Sequence, residues 1–265
     1  MGCAGAVVVV TGAARGIGRA LCERAREEGA AAVVALDIDG DGAAETARRV
    51  GGHAFALDVG DAAAVARTLA EIEAGIGPIR LYCSNAGILE RDPDFDLAAS
   101  ATEASWARSW AVNVMGHVHA ARALLPGWIA RREGTFLATV SAAGLLSQIG
   151  SATYSTTKHA ALGFCEHLAI AHRDDGIRVA ALCPQGVDTE MVRSATGSEP
   201  ALLDGLLSPE AVAEAAFRGL AEKRFLILPH PQVAGYLRNK AADHDRWIGG
   251  MAKLRRAQRA ALLDG

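Results

Sequence analysis

Tyr154 and Lys158 stand four residues apart in the run Tyr154-Ser155-Thr156-Thr157-Lys158. On a helix this spacing puts both side chains on one face, close enough to interact. A free phenol has a pKa of about 10 and is a poor base at neutral pH. A neighbouring ammonium favours the phenolate and moves the group toward the range useful for proton transfer. Surface helices carry Tyr–Lys pairs too, so the pair alone is weak evidence.

A second constellation is Thr11-Gly12-Ala13-Ala14-Arg15-Gly16-Ile17-Gly18, placed between an apolar run and a helical pattern. Glycines let a dinucleotide pyrophosphate approach the backbone, and the free N–H groups of a helix start hold the anion. A plain tight turn would also use glycine, but the strand-to-helix context is the one dinucleotide binding requires. Asp37 follows the next apolar run, about 20 residues beyond the loop, where a carboxylate accepts the adenosine ribose hydroxyls and repels a 2′-phosphate. Asp39 and Asp41 beside it show that turn acids are plentiful here. Arg15 is the opposing signal, because a base in the loop could receive that phosphate. The acid outweighs it, and the cofactor expected is NAD.

Other reactive side chains form no site. His117 and His119 are two apart and face different ways on a helix, and His159 points away from the Tyr–Lys face. Cys3, Cys22, Cys83, Cys165 and Cys183 contain no CxxC pair, and there is no HExxH. Neither a metal site nor a disulfide framework is expected. No GxSxG nucleophile elbow occurs.

These groups need a scaffold. Short apolar runs at 6–10, 32–36, 54–57, 79–83, 135–140, 178–182 and 225–228 alternate with helical patterns at 18–28, 62–73, 102–131, 152–172 and 209–223. Runs without polar alternation suit strands buried on both faces of a parallel sheet. Seven strands alternating with helices predict one doubly wound α/β domain over residues 1–265. Two stretches leave this rhythm. Residues 189–208 read as a substrate lid, and the basic tail 236–265 as a solvated helix face or a subunit contact.

Composition sets the outer limits. The chain has 265 residues, 51% hydrophobic and 22% charged, with a formal charge of −3. That is folded-protein composition, and the acid balance argues against a general nucleic-acid or anionic-membrane binder. No run approaches the roughly 18 apolar residues of a membrane span. With no basic leader and unpaired cysteines, a cytoplasmic location is expected.

Taken together, Thr11–Gly18, Asn85-Ala86-Gly87, Asn113, Ser141 and the Tyr154/Lys158 pair resemble the short-chain dehydrogenase/reductase family over residues 7–189. The resemblance implies a single Rossmann-type domain with a mostly parallel seven-stranded sheet flanked by helices, assembled as a homotetramer or homodimer. It gives Gly12, Gly16, Ile17 and Gly18 the pyrophosphate, Asp37 the adenosine ribose, and Asp58 and Val59 the adenine. Asn85, Ala86 and Gly87 would line the cofactor cleft. Tyr154 would exchange the proton and Lys158 would bind the nicotinamide ribose. Ser141 would hold the substrate oxygen, and Asn113 would support a relaying water. Pro184, Val187 and Thr189 would face the carboxamide. Gln185 stands where the family usually has glycine, which opens the question of its backbone and of its amide reaching the substrate.

The expected activity is NAD-dependent interconversion of a secondary alcohol and a ketone. The alternatives are a redox-neutral epimerase or dehydratase, and a non-catalytic NAD(H)-binding regulator. An intact Ser141/Tyr154/Lys158 set disfavours the regulator. Candidate pocket residues are Leu89, Phe95, Leu145, Leu146, Gln148, Gln185 and Met191, which suit an apolar alcohol.

Overall fold

The structure is a computed structural model that describes residues 3–193 and 204–264. Seven strands form one sheet in the order β3-β2-β1-β4-β5-β6-β7, and every pairing is parallel. They are β1 (Val7–Thr11), β2 (Ala32–Asp37), β3 (His53–Ala56), β4 (Ile79–Ser84), β5 (Gly134–Thr139), β6 (Ile177–Leu182) and β7 (Leu226–Ile227). Each lies within two residues of its apolar run.

The strand period of two splits β1 between two cores. Val7 and Val9 face a layer made by Leu69 and Ile72 of α3 (Ala62–Gly75), Leu124 and Trp128 of α5 (Gly116–Arg131), and Leu168 of α6 (Ala152–Ala171). Val8 and Val10 face Leu21 of α1 (Gly16–Glu27), Ala47 of α2 (Gly40–Val50), and Val212 and Phe217 of α8 (Pro209–Ala221). All five cysteines are free and buried, acting as small apolar fillers.

Chain order reverses between β1 and β4. In a doubly wound sheet that reversal opens a crevice at the carboxyl ends of the strands, where ligands bind. The loops after β1, β2, β4, β5 and β6 all end there, and they carry most of the candidate site.

Two departures from the sequence reading concern helices. The pattern over 102–131 is not one helix. It is α4 (Glu103–Trp110), a π-helical turn (Ala111–Met115) and α5. Helix α2, capped by the Asp39 side chain and closed by Gly51 in the left-handed conformation, adds a helix between β2 and β3 that the apolar pattern does not mark. The tail forms α9 (Gln232–Ala242) and α10 (His244–Asp264). Of the expected lid, residues 194–203 lie outside the described residues, and α7 (Glu190–Arg193) forms its beginning. No helix among the described residues is long and apolar enough to cross a membrane.

Candidate active site

The glycine loop is held by the chain itself. Gly12 and Gly16 have φ of +65° and +54°, a conformation that favours glycine. A Cβ at Gly12 would lie 2.9 Å from the Ala86 Cα, and one at Gly18 would overlap the Gly12 carbonyl. Two of the glycines are thus required by packing as much as by any ligand. The Thr11 hydroxyl accepts the amides of Asn85 (2.9 Å) and Ala86 (3.1 Å). Asn85 Nδ2 donates to the Thr11 carbonyl at 3.0 Å, while Thr139 donates to its Oδ1 at 2.9 Å. Asn85 therefore ties β1, β4 and β5 together at the mouth of the crevice.

Asp37 ends β2 beside this loop, its carboxylate accepting the amides of Ala14 (2.9 Å) and Asp39 (3.0 Å). Asp58 is exposed after β3 and accepts the Gly60 amide, whereas Val59 is buried next to it. Arg15 is not free. Its guanidinium donates to Glu190 at 2.5 Å and to Asp39 at 3.4 Å. Thr189, which starts the chain leading into α7, faces the open side of Gly16.

Ser141 follows β5 with φ +148° and ψ 157°. A side chain in this region costs about 1–3 kcal/mol and is held only where the surroundings enforce it. Its hydroxyl accepts the Ala143 amide at 3.1 Å and also bonds the Tyr154 phenol. Tyr154 sits on the first turn of α6, whose cap Ser151 accepts the Tyr154 amide. Burial pushes the phenol above its usual pKa, and the Ser141 hydrogen bond pulls it down.

Lys158 lies one turn on, 3% exposed, with Nζ 5.5 Å from the Tyr154 ring centroid. Nζ donates to the Thr139 carbonyl at 3.0 Å. Burial lowers its pKa to about 8. The spacing argument gives the ammonium the task of lowering the phenol, and Ser141 adds a lowering contact that spacing does not show. Gly87 adjoins both Lys158 and Asn113, since a Cβ there would lie 3.3 Å from Lys158 Nζ and from Asn113 Oδ1.

Asn113 occupies the π-helical turn, fully buried. It accepts the Ile88 amide and donates to the Ile88 carbonyl, both at 2.9 Å, and its Nδ2 also reaches Thr157 at 3.1 Å. Such single π turns are common at functional sites. The histidines stay apart: His117 bonds Ser84, His119 the Val59 carbonyl, and His159 the Ser155 carbonyl. No group of three or more metal-ligating side chains occurs among the described residues.

In the loop after β6, the Pro184 carbonyl accepts the Ala142 amide, and the Gln185 amide donates to His230 Nδ1 at 3.1 Å. A buried histidine that sequence reasoning passed over thus steadies the doubtful Gln185 backbone. Val187 is buried and pairs with Leu207.

Ser141 opens onto a cavity of about 500 Å³. One wall has Leu146, Gln148 and Gln185, and the other has Tyr236, Trp247, Met251 and Leu254 from α9 and α10. The tail is therefore a pocket wall. Lys240 fastens it by donating to the Leu145 and Leu146 carbonyls at 2.8 and 2.9 Å while lying 4.8 Å over the Trp247 ring. Arg255 donates to the Phe95 carbonyl and covers its ring, and Arg259 pairs with Asp96. Among the expected pocket residues, Leu145 belongs to the core instead, because its side chain turns into the layer under β5. Phe95 engages Arg255. Met191, on α7, and Leu89 are not among the cavity's lining residues.

Comparison with known proteins agrees with this architecture. The family profile described as short chain dehydrogenase matches residues 6–200. A 1-deoxy-11-beta-hydroxypentalenate dehydrogenase of Streptomyces exfoliatus is 35% identical over 243 residues, covering 89% of this chain and 86% of that protein. Human epidermal retinol dehydrogenase 2 is 31% identical, covering 85% of this chain and 74% of its own length. A short-chain dehydrogenase/reductase from Burkholderia phymatum, solved in complex with NAD, superposes with a TM-score of 0.82 at 27% identity, over 92% of this chain and 96% of that one. With a match across most of its length, an all-parallel Rossmann sheet and relatives that oxidise hydroxy compounds, the chain belongs to the short-chain dehydrogenase family of oxidoreductases.

Proposed function

We propose that this protein interconverts a secondary alcohol and a ketone with NAD(H), using Tyr154 as acid/base. The observation that carries the reading is the contact of the Ser141 hydroxyl with the Tyr154 phenol, one helical turn from the buried Lys158, at the mouth of an apolar-walled cavity. In the oxidative direction Tyr154 takes the proton of the substrate hydroxyl, and Ser141 orients that oxygen by a hydrogen bond. Lys158 stabilises the phenolate and is placed to hold a ribose hydroxyl. NAD, when bound, supplies the hydride acceptor. Asn113 holds the chain at Ile88 against α6, so that the Tyr–Lys face keeps its position over the crevice.

The residues fit that cofactor. The loop Gly12–Gly18 offers amides at the α1 start for a pyrophosphate, and Asp37 presents a carboxylate where a ribose diol would lie. Asp58 and Val59 are assigned to the adenine side. Asn85, Ala86 and Gly87 form the cleft floor, and Pro184, Val187 and Thr189 take the carboxamide side. Arg15, held by Glu190 and Asp39, does not offset the choice of NAD made by Asp37.

Relatives named for a hydroxypentalenate and for retinol support a largely hydrocarbon alcohol, as do Leu146, Trp247, Met251 and Leu254 around the cavity. A panel of secondary alcohols of graded size, followed by NADH absorbance, tests the reading. Turnover with bulky apolar members is expected, and NADH formation with none of them would sustain the redox-neutral or regulatory alternatives instead. A homodimer or homotetramer is also proposed, supported by exposed Trp110, Ile129 and Ile170 on three helices and checked by sedimentation velocity. Five free cysteines support a reducing, cytoplasmic setting.

A further inference from the structure

Arg15 is the only charged side chain of the glycine loop, and a guanidinium at this end of a Rossmann sheet is the usual receiver of an NADP 2′-phosphate. Here one terminal nitrogen holds Glu190 and the other Asp39. Asp37 stands in the same neighbourhood, joined to the loop through the Ala14 amide. Two carboxylates therefore hold one guanidinium, and Asp37 adds a third negative charge nearby. Glu190 comes from far along the chain, on α7. Its neighbour Thr189 also packs toward Gly16, so the start of α7 and the residue before it meet the loop at two adjacent points.

We propose that Glu190 is a cofactor-selectivity residue, which occupies Arg15 and so denies the 2′-phosphate of NADP its one basic partner in the loop. The inference rests on the NAD reading above, and adds to it a latent phosphate site gated from the far side of the crevice. Glu190→Gln keeps the shape of the side chain and removes its charge. Arg15 then retains only the longer Asp39 contact and can swing to a phosphate. Arg15 and Glu190 are 57% and 66% exposed, so water and salt screen the pair and the effect is modest.

Calorimetric titration with 2′,5′-ADP and 5′-AMP at low ionic strength reads the phosphate preference without turnover. The ratio of the two dissociation constants is expected to shift toward 2′,5′-ADP by about two- to fivefold in Glu190→Gln, as for release of an exposed ion pair. The kcat/KM ratio for NADP over NAD is expected to move the same way. In the double variant Glu190→Gln/Arg15→Gln the gain is lost, which separates release of Arg15 from simple loss of a negative charge. An unchanged ratio in Glu190→Gln, or a gain that persists without Arg15, overturns the proposal while leaving NAD preference intact. Wild-type preference for NADP overturns both readings at once, because it shows Arg15 already available.

Discussion

Tyr154 carries the proposed chemistry, and its environment pulls in two directions. Burial favours the neutral phenol, and the strained Ser141 offers the contact that favours ionisation. Tyr154→Phe is expected to lower kcat by about 10²–10⁴-fold, the span of general acid–base groups, with NADH affinity by fluorescence titration nearly kept. Ser141→Gly relieves the backbone at φ +148° but removes the hydroxyl, so it is expected to lose activity without losing stability. His117 gives a different signal. Burial and the Lys158 charge lower its pKa to about 3, from an ordinary value near 6.5. Between these values the unfolded chain binds a proton that the folded chain refuses, so stability is lost as pH falls through this window. Urea midpoints at pH 7 and 4.5 are expected to drop further for wild type than for His117→Asn, the carboxylates being common to both. The Tyr–Lys spacing and the glycine loop were legible in the sequence because both are local patterns. The Arg15–Glu190 pair and the His230 contact were not, because each joins residues far apart in the chain.

At the scale of elements, the tail has a role that its composition does not show. Its basic residues suggested a solvated face, yet Lys240, Arg255 and Arg259 fasten two helices across the pocket. Nothing local in the sequence encodes this, since the partners are loop carbonyls at Leu145, Leu146 and Phe95 and the Asp96 carboxylate. Lys240→Met keeps the aliphatic stem and removes the donors. It is expected to raise KM for the alcohol several-fold, with the KM for NAD little altered, because the clasp serves only the cavity wall. Equal effects on both constants would place Lys240 in general stability instead. The break of 102–131 at the π turn was equally hidden, because its cause is the tertiary hold of Asn113 on Ile88 and Thr157. Gly134 marks a tight junction between elements: a Cβ there would overlap the buried Trp128 indole. Gly134→Ala is expected to destabilise by about 1–3 kcal/mol, typical of overpacking, read from the denaturation midpoint.

For the whole molecule, the seven strands were readable because a parallel sheet buries both faces and leaves uninterrupted apolar runs. The fold in turn makes cofactor choice visible as stability. A ligand that binds only the native state adds about 2.7 kcal/mol at a hundred times its dissociation constant. Melting scans with equal concentrations of NADH and NADPH are expected to show the larger rise for NADH. Equal rises would count against Asp37 as the selector.

The last strand of the sheet ends at Ile227, whereas the outer wall of the cavity comes wholly from the chain after it. The nucleotide crevice and the outer wall of the cavity are therefore written in separable stretches of the gene. Mutations accumulating in codons 232–264 can remodel that wall while every glycine and acid of the crevice is left alone. A shuffled terminal segment is thus an economical route by which such a protein acquires a new substrate, provided that Lys240 still finds its two carbonyls.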